Sequence, residues 1–435
     1  MKMNLPALKV GENSRFLVNQ NGEPFFWLGD TAWELIHKLS LAETQLYFQN
    51  RIEKGFTIIQ TVILAELDGL TVPNANGDLP LKDLDPSEPN EAYFNHVDKI
   101  IELANEMGLY LALLPTWGDK FNKKWGTGPE VFTPENARAF SASLAKRYAK
   151  HQHIVWVLGG DRVPQDKEDE AIIEQMAVGI REFDKDSLIT YHPNGGVIAS
   201  DIFGKSTWLQ VDMFQSRHQK NFREYTFVNK ARNRQPVRPV INGEPGYENI
   251  PNLLNKWNFQ RLDAADVRLS AYWSMLSGAA GYTYGCNEVW QMNTAESTPL
   301  FGAHLSWQEA LDLPGARQMG ILRSIFESLP WQQMHATRQI FAGINWPFSP
   351  PKLALSTSDQ SCLLIYQSTG SKIKLKLKKG ILNNSAVYWI NPQNGRVTPT
   401  KAKGSNTFYT PNRLQDWLLL ILSNKQRDQW HYTSS

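Results

Sequence analysis

The sequence predicts an α/β fold: a (β/α)8 TIM barrel followed by a small antiparallel β-sandwich. Three observations carry that expectation. From about residue 20 to residue 300, short apolar runs alternate eight times with amphipathic helical stretches. No Gly-x-Gly-x-x-Gly follows the first run, which argues against a doubly wound open sheet. Beyond Pro347-Phe-Ser-Pro-Pro351 the texture changes to short strands. A chain of 435 residues also exceeds what one hydrophobic core ordinarily fills. The expected division is a catalytic barrel over 1–334 and a β-sandwich over 335–435.

The barrel strands are expected near Phe25–Gly29, Thr57–Leu64, Tyr110–Pro115, Ile154–Leu158, Leu188–Tyr191, Leu209–Phe214, Val240–Asn242 and Gly281–Tyr284. Runs this short and this rich in Val and Ile read as strands buried on both faces. Between them, Ser40-Leu-Ala-Glu43 is a capping box that opens a helix running towards Gly55. Asn90 precedes an apolar stripe of Phe94, Val97, Ile101, Ala104 and Met107 that Gly108 ends. Thr133-Pro134 starts a helix reaching about Lys150. A further helix spans Arg261 to Leu276, and the segment from Trp307 to Leu329 is helical with a break at Leu313-Pro314-Gly315. In the second domain Lys372-Ile-Lys-Leu-Lys-Leu-Lys378 alternates strictly, as a half-buried strand does. Leu363–Tyr366, Ala386–Ile390 and Trp417–Leu422 are its other strands, with a turn at Asn391–Gly395 and a polar tail after about residue 425.

Composition removes several function classes. The chain is 42% hydrophobic and 20% charged, with a net charge of +2, so no overall basic field argues for nucleic acid or a membrane surface. Cys286 and Cys362 form neither a disulfide framework nor a metal motif. His37, His192 and His218 could meet at a barrel mouth, but a helical His-Glu-x-x-His is lacking, so neither a metal nor an organic cofactor is expected. The first residues lack the apolar core of an export signal; the chain as written reads as cytoplasmic, or as periplasmic or secreted if a leader has been removed.

Two of the strands end in a carboxylate. His153-Ile-Val-Trp-Val-Leu-Gly-Gly leads to Asp161, after the fourth strand, and Pro239-Val-Ile-Asn-Gly leads to Glu244, after the seventh. Active sites of such barrels lie at the C-terminal ends of the strands. Paired carboxylates there point to hydrolysis of a glycosidic bond, with one acid protonating the leaving oxygen and the other attacking or activating water. Asp161, followed by Arg162 and a polar loop, suits the acid/base; Glu244, followed by Pro245-Gly-Tyr247, suits a nucleophile held in a fixed rotamer. Other strand ends supply Asp30 and Trp33, Trp117, His192, Gln215 and His218, Asn242, and Tyr284 and Trp290. Aromatics to stack and polar groups to hold hydroxyls make a sugar subsite, so the expected partner is an oligosaccharide or small glycoside. Each of these residues alone also fits a structural role, Asp30 as a helix cap among them. An inverting hydrolase and a binding protein without activity remain the alternatives.

These residues carry a resemblance. Glu23-Pro-Phe-Phe-Trp-Leu-Gly-Asp-Thr-Ala-Trp33, Trp156-Val-Leu-Gly-Gly-Asp161, Gln215-Ser-Arg-His218 and Asn242-Gly-Glu-Pro245 resemble glycoside hydrolase family 140, the apiosidase-like barrels. Tyr388-Trp-Ile-Asn-Pro392 and Asp416-Trp-Leu-Leu-Leu420 resemble the small β-domain attached to them, which carries a collagen-binding label. The resemblance implies a retaining β-glycosidase acting on apiose linkages in the pectic polysaccharide rhamnogalacturonan II, with Asp161 as acid/base and Glu244 as nucleophile. Packing against the barrel is the expected role of the β-domain.

Overall fold

The computed structural model describes residues 5–432 apart from 256, 258, 259, 343–350, 370, 371 and 405. The Pro347–Pro351 stretch, beyond which the texture of the sequence changes, therefore lies outside the described residues as far as Pro350. Eight parallel strands build the barrel: β1 (Trp27–Thr31), β2 (Ile58–Leu64), β3 (Tyr110–Thr116), β4 (Ile154–Gly159), β5 (Ile189–His192), β6 (Asp212–Gln215), β7 (Val240–Glu244) and β8 (Gly281–Tyr284). Every residue of these strands is buried, which is why their sequences are apolar runs rather than alternating ones. The hydrogen-bonded order is β5-β4-β3-β2-β1-β8-β7-β6, and the short strand Val197–Ile198 adds antiparallel to β6. Between β5 and β6 the curled sheet is joined by Gln210 N donating to Ile189 O (3.0 Å) and Thr190 Oγ1 to Val211 O (2.8 Å).

The helices start and stop where local chemistry requires. Ser40 and Glu43 exchange the two bonds of a capping box ahead of Leu41–Glu53. Gly108 ends Glu91–Met107 at φ 84°, a conformation that costs glycine little. The stretch expected over Arg261–Leu276 is Ala264–Met275, capped by Asp263, whose side chain satisfies two free N–H groups. Leu313-Pro314-Gly315 does divide its segment, into Trp307–Ala310 and Pro314–Glu327. One element was not foreseen. Leu8–Val10, Leu17–Asn19 and Pro24–Phe25 form a small antiparallel sheet ahead of β1. It brings Phe16 onto Trp331, which also meets Phe26 where the chain enters β1.

The second domain has two layers. A six-stranded antiparallel sheet contains β9 (His335–Ala336), β10 (Leu353–Ser356), β11 (Cys362–Gln367), β13 (Ser385–Ile390), β14 (Val397–Pro399) and β16 (Trp417–Ser423), in the order β9-β10-β11-β16-β13-β14. A two-stranded ribbon of β12 (Lys372–Lys374) and β15 (Thr407–Tyr409) covers it. Alternation gives the large sheet two apolar faces. Leu364, Tyr366, Leu418, Leu420 and Leu422 join the barrel's core, whereas Leu363, Ile365, Leu419 and Ile421 pack with Ile373 and Phe408 of the ribbon. The strand expected over Lys372–Lys378 pairs with β15 only as far as Lys374; Leu375 donates to Asn406 O (2.9 Å) and bridges Phe341. The tail is not merely polar: Asn424–Asp428 is helical, and Trp430 donates to Ser328 Oγ (2.9 Å) while its ring meets Tyr388.

A buried ion pair locks the domains. Arg268 donates through Nε and Nη2 to the two oxygens of Asp416 (3.0 and 2.7 Å), Tyr366 donates to Asp416 Oδ2 (2.8 Å), and Arg268 also donates to Gln318 Oε1 (2.6 Å). Replacing Arg268 with Ala strands the Asp416 carboxylate in an apolar contact, and removing one partner of such a pair costs about 3–5 kcal/mol. Calorimetry of Arg268→Ala should therefore show a markedly lower melting temperature; a loss below about 1 kcal/mol would mark the pair as no better than a surface contact.

Candidate active site

The C-terminal strand ends open into a cavity of about 650 Å³. Asp161 reaches it through an unusual turn. Gly159 (φ 93°), Gly160 (φ 109°) and Asp161 (φ 52°) all lie in the left-handed region. A Cβ on Gly159 would stand 2.7 Å from His192 O, and one on Gly160 2.8 Å from Gly118 N, so only glycine fits at either position. Asp161 itself holds a backbone conformation that residues other than glycine adopt at a cost, the kind of strain kept where a side chain must be aimed. Its side chain stays 22% exposed, into the cavity. Trp125 Nε1 donates to Asp161 Oδ2 (3.3 Å), and the Trp125 ring lies over the Arg162 guanidinium (4.4 Å).

Glu244 reaches the same cavity through a β-bulge. β6 and β7 pair Phe214 with Asn242 but Gln215 with Glu244, leaving Gly243 as the extra residue. The slip reverses the alternation, so Asn242 points towards the helices and Glu244 towards the cavity. One hydroxyl and two imidazoles surround its carboxylate. Tyr247 Oη donates to Oε1 (2.7 Å) and is itself held by Trp33 Nε1 (3.0 Å). The Asp161 N–H donates to His192 Nδ1 (3.0 Å), which leaves the neutral ring's proton on Nε2, 2.8 Å from Glu244 Oε2. In the same way Tyr247 N donates to His218 Nδ1 (3.3 Å), and His218 Nε2 stands 3.4 Å from Oε1.

These surroundings drive the two acids apart. Burial, and after it the charge of Glu244, pushes the Asp161 carboxyl up to about 6. Burial also opposes ionisation of Glu244, but His192 and His218 prevail and hold it down to about 2. Near pH 5 one acid is protonated and the other charged. That is the arrangement needed to donate a proton on one side of a bond and present an anion on the other.

Among the expected binding residues, Trp33, Trp117, Gln215, His218 and Trp290 line the cavity with the two acids. His192 is fully buried beneath it, in contact with both. Three expectations are corrected. Asp30 points outward to the helix Leu41–Glu53, where it accepts from Tyr47 Oη and Arg51 Nε (both 2.5 Å). Tyr284 lies opposite Asp30 in the ladder, shares its face, and donates to Glu248 Oε2 (2.6 Å). Asn242 is committed to Ser274 Oγ (3.2 Å). Side chains alternate along a strand, so only some strand-end residues can face the mouth. His37 is likewise held by Glu34 (3.2 Å) and Val72 O (3.0 Å).

The cavity also holds residues the sequence reading passed over. Glu66 lines it just past β2, and burial, then the nearby carboxyls of Glu34 and Asp161, raise its pKa well above the usual range. Its position after an Ile/Val-rich strand is the signal that marked the other two acids. Trp125 comes from a loop, and Leu253, Leu254 and Phe301 from single 3-10 turns, where no periodicity announces which side chains turn inward.

Residues 11–333 match the family model described as "Apiosidase-like, catalytic domain". The chain belongs to the apiosidase-like family. Residues 349–422 match a second model, "Putative collagen-binding domain of a collagenase". A solved glycoside hydrolase is 26% identical with a TM-score of 0.86, over 97% of each chain. A glycoside hydrolase family 5 structure from Bacteroides vulgatus ATCC 8482 is 27% identical with a TM-score of 0.87, over 98% of this chain and 96% of its own. An endo-beta-1,4-mannanase from Thermotoga petrophila shares the fold at 11% identity and a TM-score of 0.50, over 93% of each chain. No curated protein matches the chain. This apiosidase-like chain is a glycoside hydrolase.

Tyr247→Phe removes one donor from the charged form of Glu244, so the carboxyl should ionise roughly one pH unit higher than in the parent, the equivalent of a charge-assisted hydrogen bond. Carbon-13 NMR of the labelled carboxyl, assigned with Glu244→Gln, would read the change; an unmoved titration would mean the tyrosine does not hold the charge.

Proposed function

We propose that this chain is a retaining glycosidase of the family 140 type, with Asp161 as general acid/base and Glu244 as nucleophile, acting on apiose-bearing or related pectic glycosides. The reading rests most on the opposed protonation of two carboxyls lining one cavity, joined through the His192 imidazole. In the first step the Asp161 proton passes to the glycosidic oxygen as the carbon–oxygen bond breaks and a Glu244 oxygen bonds the anomeric carbon. In the second, the Asp161 carboxylate takes a proton from water, whose oxygen displaces Glu244. The Tyr247 hydroxyl and the two imidazoles around Glu244 favour the nucleophile over the water-activating base, because they hold the carboxylate in a fixed orientation and low basicity. Trp125, 60% exposed beside the acid's Oδ2, supplies a flat surface on the leaving-group side. For the sugar, support comes from the family match and the motif resemblance.

Proton NMR during hydrolysis of an aryl glycoside should show the product first in the substrate's anomeric configuration; the opposite anomer would favour an inverting enzyme. Asp161→Asn should lower kcat/KM for sugar leaving groups about 10²–10⁴-fold and much less for a nitrophenolate, whereas Glu244→Gln should fail with both. The kcat/KM profile should have limbs at about 2 and about 6, since Glu244 must be ionised and Asp161 protonated. A profile still rising between pH 7 and 9 would contradict these roles.

A further inference from the structure

Charge is unevenly shared along this chain. Residues 335–435 contain 13 Lys and Arg but 3 Asp and Glu, whereas the whole chain has 45 against 43, so the barrel is net acidic. From Ser361 to Gln415 there are nine basic residues and no acid. Of the domain's acids, Asp416 is buried against Arg268 and Asp428 is paired with Arg427.

The fold gathers three of these charges, Lys372, Lys374 and Lys403, on one side. In the β12–β15 ribbon, Ile373 and Phe408 face each other across the ladder and are buried in the sandwich core. Alternation therefore turns Lys372 and Lys374, with their cross-strand partners Tyr409 and Thr407, to the outer surface. Lys403, brought alongside by its bridge to Thr407, places its ammonium 5.7 Å from the centre of the Tyr409 ring, and that ring is 46% exposed. Among the described residues the ion pairs of this domain are those of Asp416 and Asp428, so these lysines face solvent with their charge unmatched.

Lysines on an outer strand discourage stray strand pairing. That need does not account for Lys401 and Lys403 on the neighbouring loop, nor for the loss of every acid between Ser361 and Gln415. Crowded like charges oppose folding. Here they are kept on the outer layer, while the opposite face of the large sheet is packed against the barrel.

We propose that the β12–β15 face binds a carboxylate-bearing polysaccharide and holds the barrel beside it. The inference rests on reading the barrel as a pectic glycosidase. Lysines alternating along a strand stand roughly 6.6–6.8 Å apart, a row of point charges suited to the repeated carboxylates of an extended polyuronide. Tyr409 offers an apolar ring among them for the C–H face of a sugar.

Affinity electrophoresis of the full-length protein tests this, in gels containing polygalacturonate, neutral arabinan, duplex DNA or soluble collagen. Polygalacturonate should retard the protein about fivefold more than arabinan at roughly 50 mM salt, and the effect should vanish by about 300 mM as screening shortens the reach of the lysines. The K372E/K374E/K403E variant should lose retardation while keeping its melting temperature and its turnover of a small aryl glycoside. Tyr409→Ala should weaken retardation at unchanged net charge. Equal retardation by arabinan, stronger retardation by DNA or collagen, or full retardation of the triple variant would overturn the proposal. A protein that cleaves small glycosides but ignores polygalacturonate refutes this surface and spares the hydrolase reading. Lysine-dependent binding without any cleavage supports the surface and refutes the hydrolase reading.

Discussion

A buried carboxylate stays charged only if donors replace the water it has lost. Glu244 is that carboxylate, and a tyrosine hydroxyl and two imidazoles are gathered around it. His192 is the central piece, because its ring accepts from the backbone of one acid and its other nitrogen stands 2.8 Å from the carboxylate of the other. The Asp161 N–H thereby fixes the tautomer that serves Glu244. The turn carrying Asp161 and the bulge carrying Glu244 are therefore coupled: displacing either leaves the imidazole with a wrong partner. Trp33 extends the same logic outward, since it orients Tyr247, which donates to Glu244.

That coupling explains what could be read from residues alone. The barrel strands were legible because burial on both faces demands continuous apolar runs, and the eight observed strands overlap the eight expected ones. Asp161 and Glu244 were legible because an acid on glycine-rich backbone beyond such a run has no packing role. Orientation was not legible. Asp30 and Tyr284 sit at strand ends like the others, yet share the face that meets the helix layer. Asn242 and Glu244 are two residues apart and should share a face; the bulge at Gly243 separates them, and its cause is a register slip against a strand elsewhere in the sequence. Glu66 carried the mark of a strand-end acid, but in the run Ala65-Glu66-Leu67-Asp68 no glycine sets it apart.

The second domain illustrates the same limit from the other side. Its β16 strand, Trp417–Ser423, was recognisable as apolar, but only the structure explains why it does not alternate: Leu418, Leu420 and Leu422 serve the barrel, and Leu419 and Ile421 serve the sandwich. With one face of its main sheet built into the barrel's core and the Arg268–Asp416 pair sealed at the contact, the domain extends the barrel's packing. Its outer ribbon faces away from that contact.

The electrostatic coupling of the two acids also suits the proposed reaction over its whole course. The charge on Glu244 is one of the influences that keep Asp161 protonated. When Glu244 becomes an ester that charge disappears, while the Arg162 guanidinium remains to favour the Asp161 carboxylate. The acid required for the first half of the reaction thus becomes a better-stabilised base for the second, with no movement of the backbone. A carboxyl raised by burial alone would keep its high pKa throughout and would return its proton with equal ease in both halves. Raising it partly through the charge of the nucleophile lets bond formation at Glu244 change the role of Asp161.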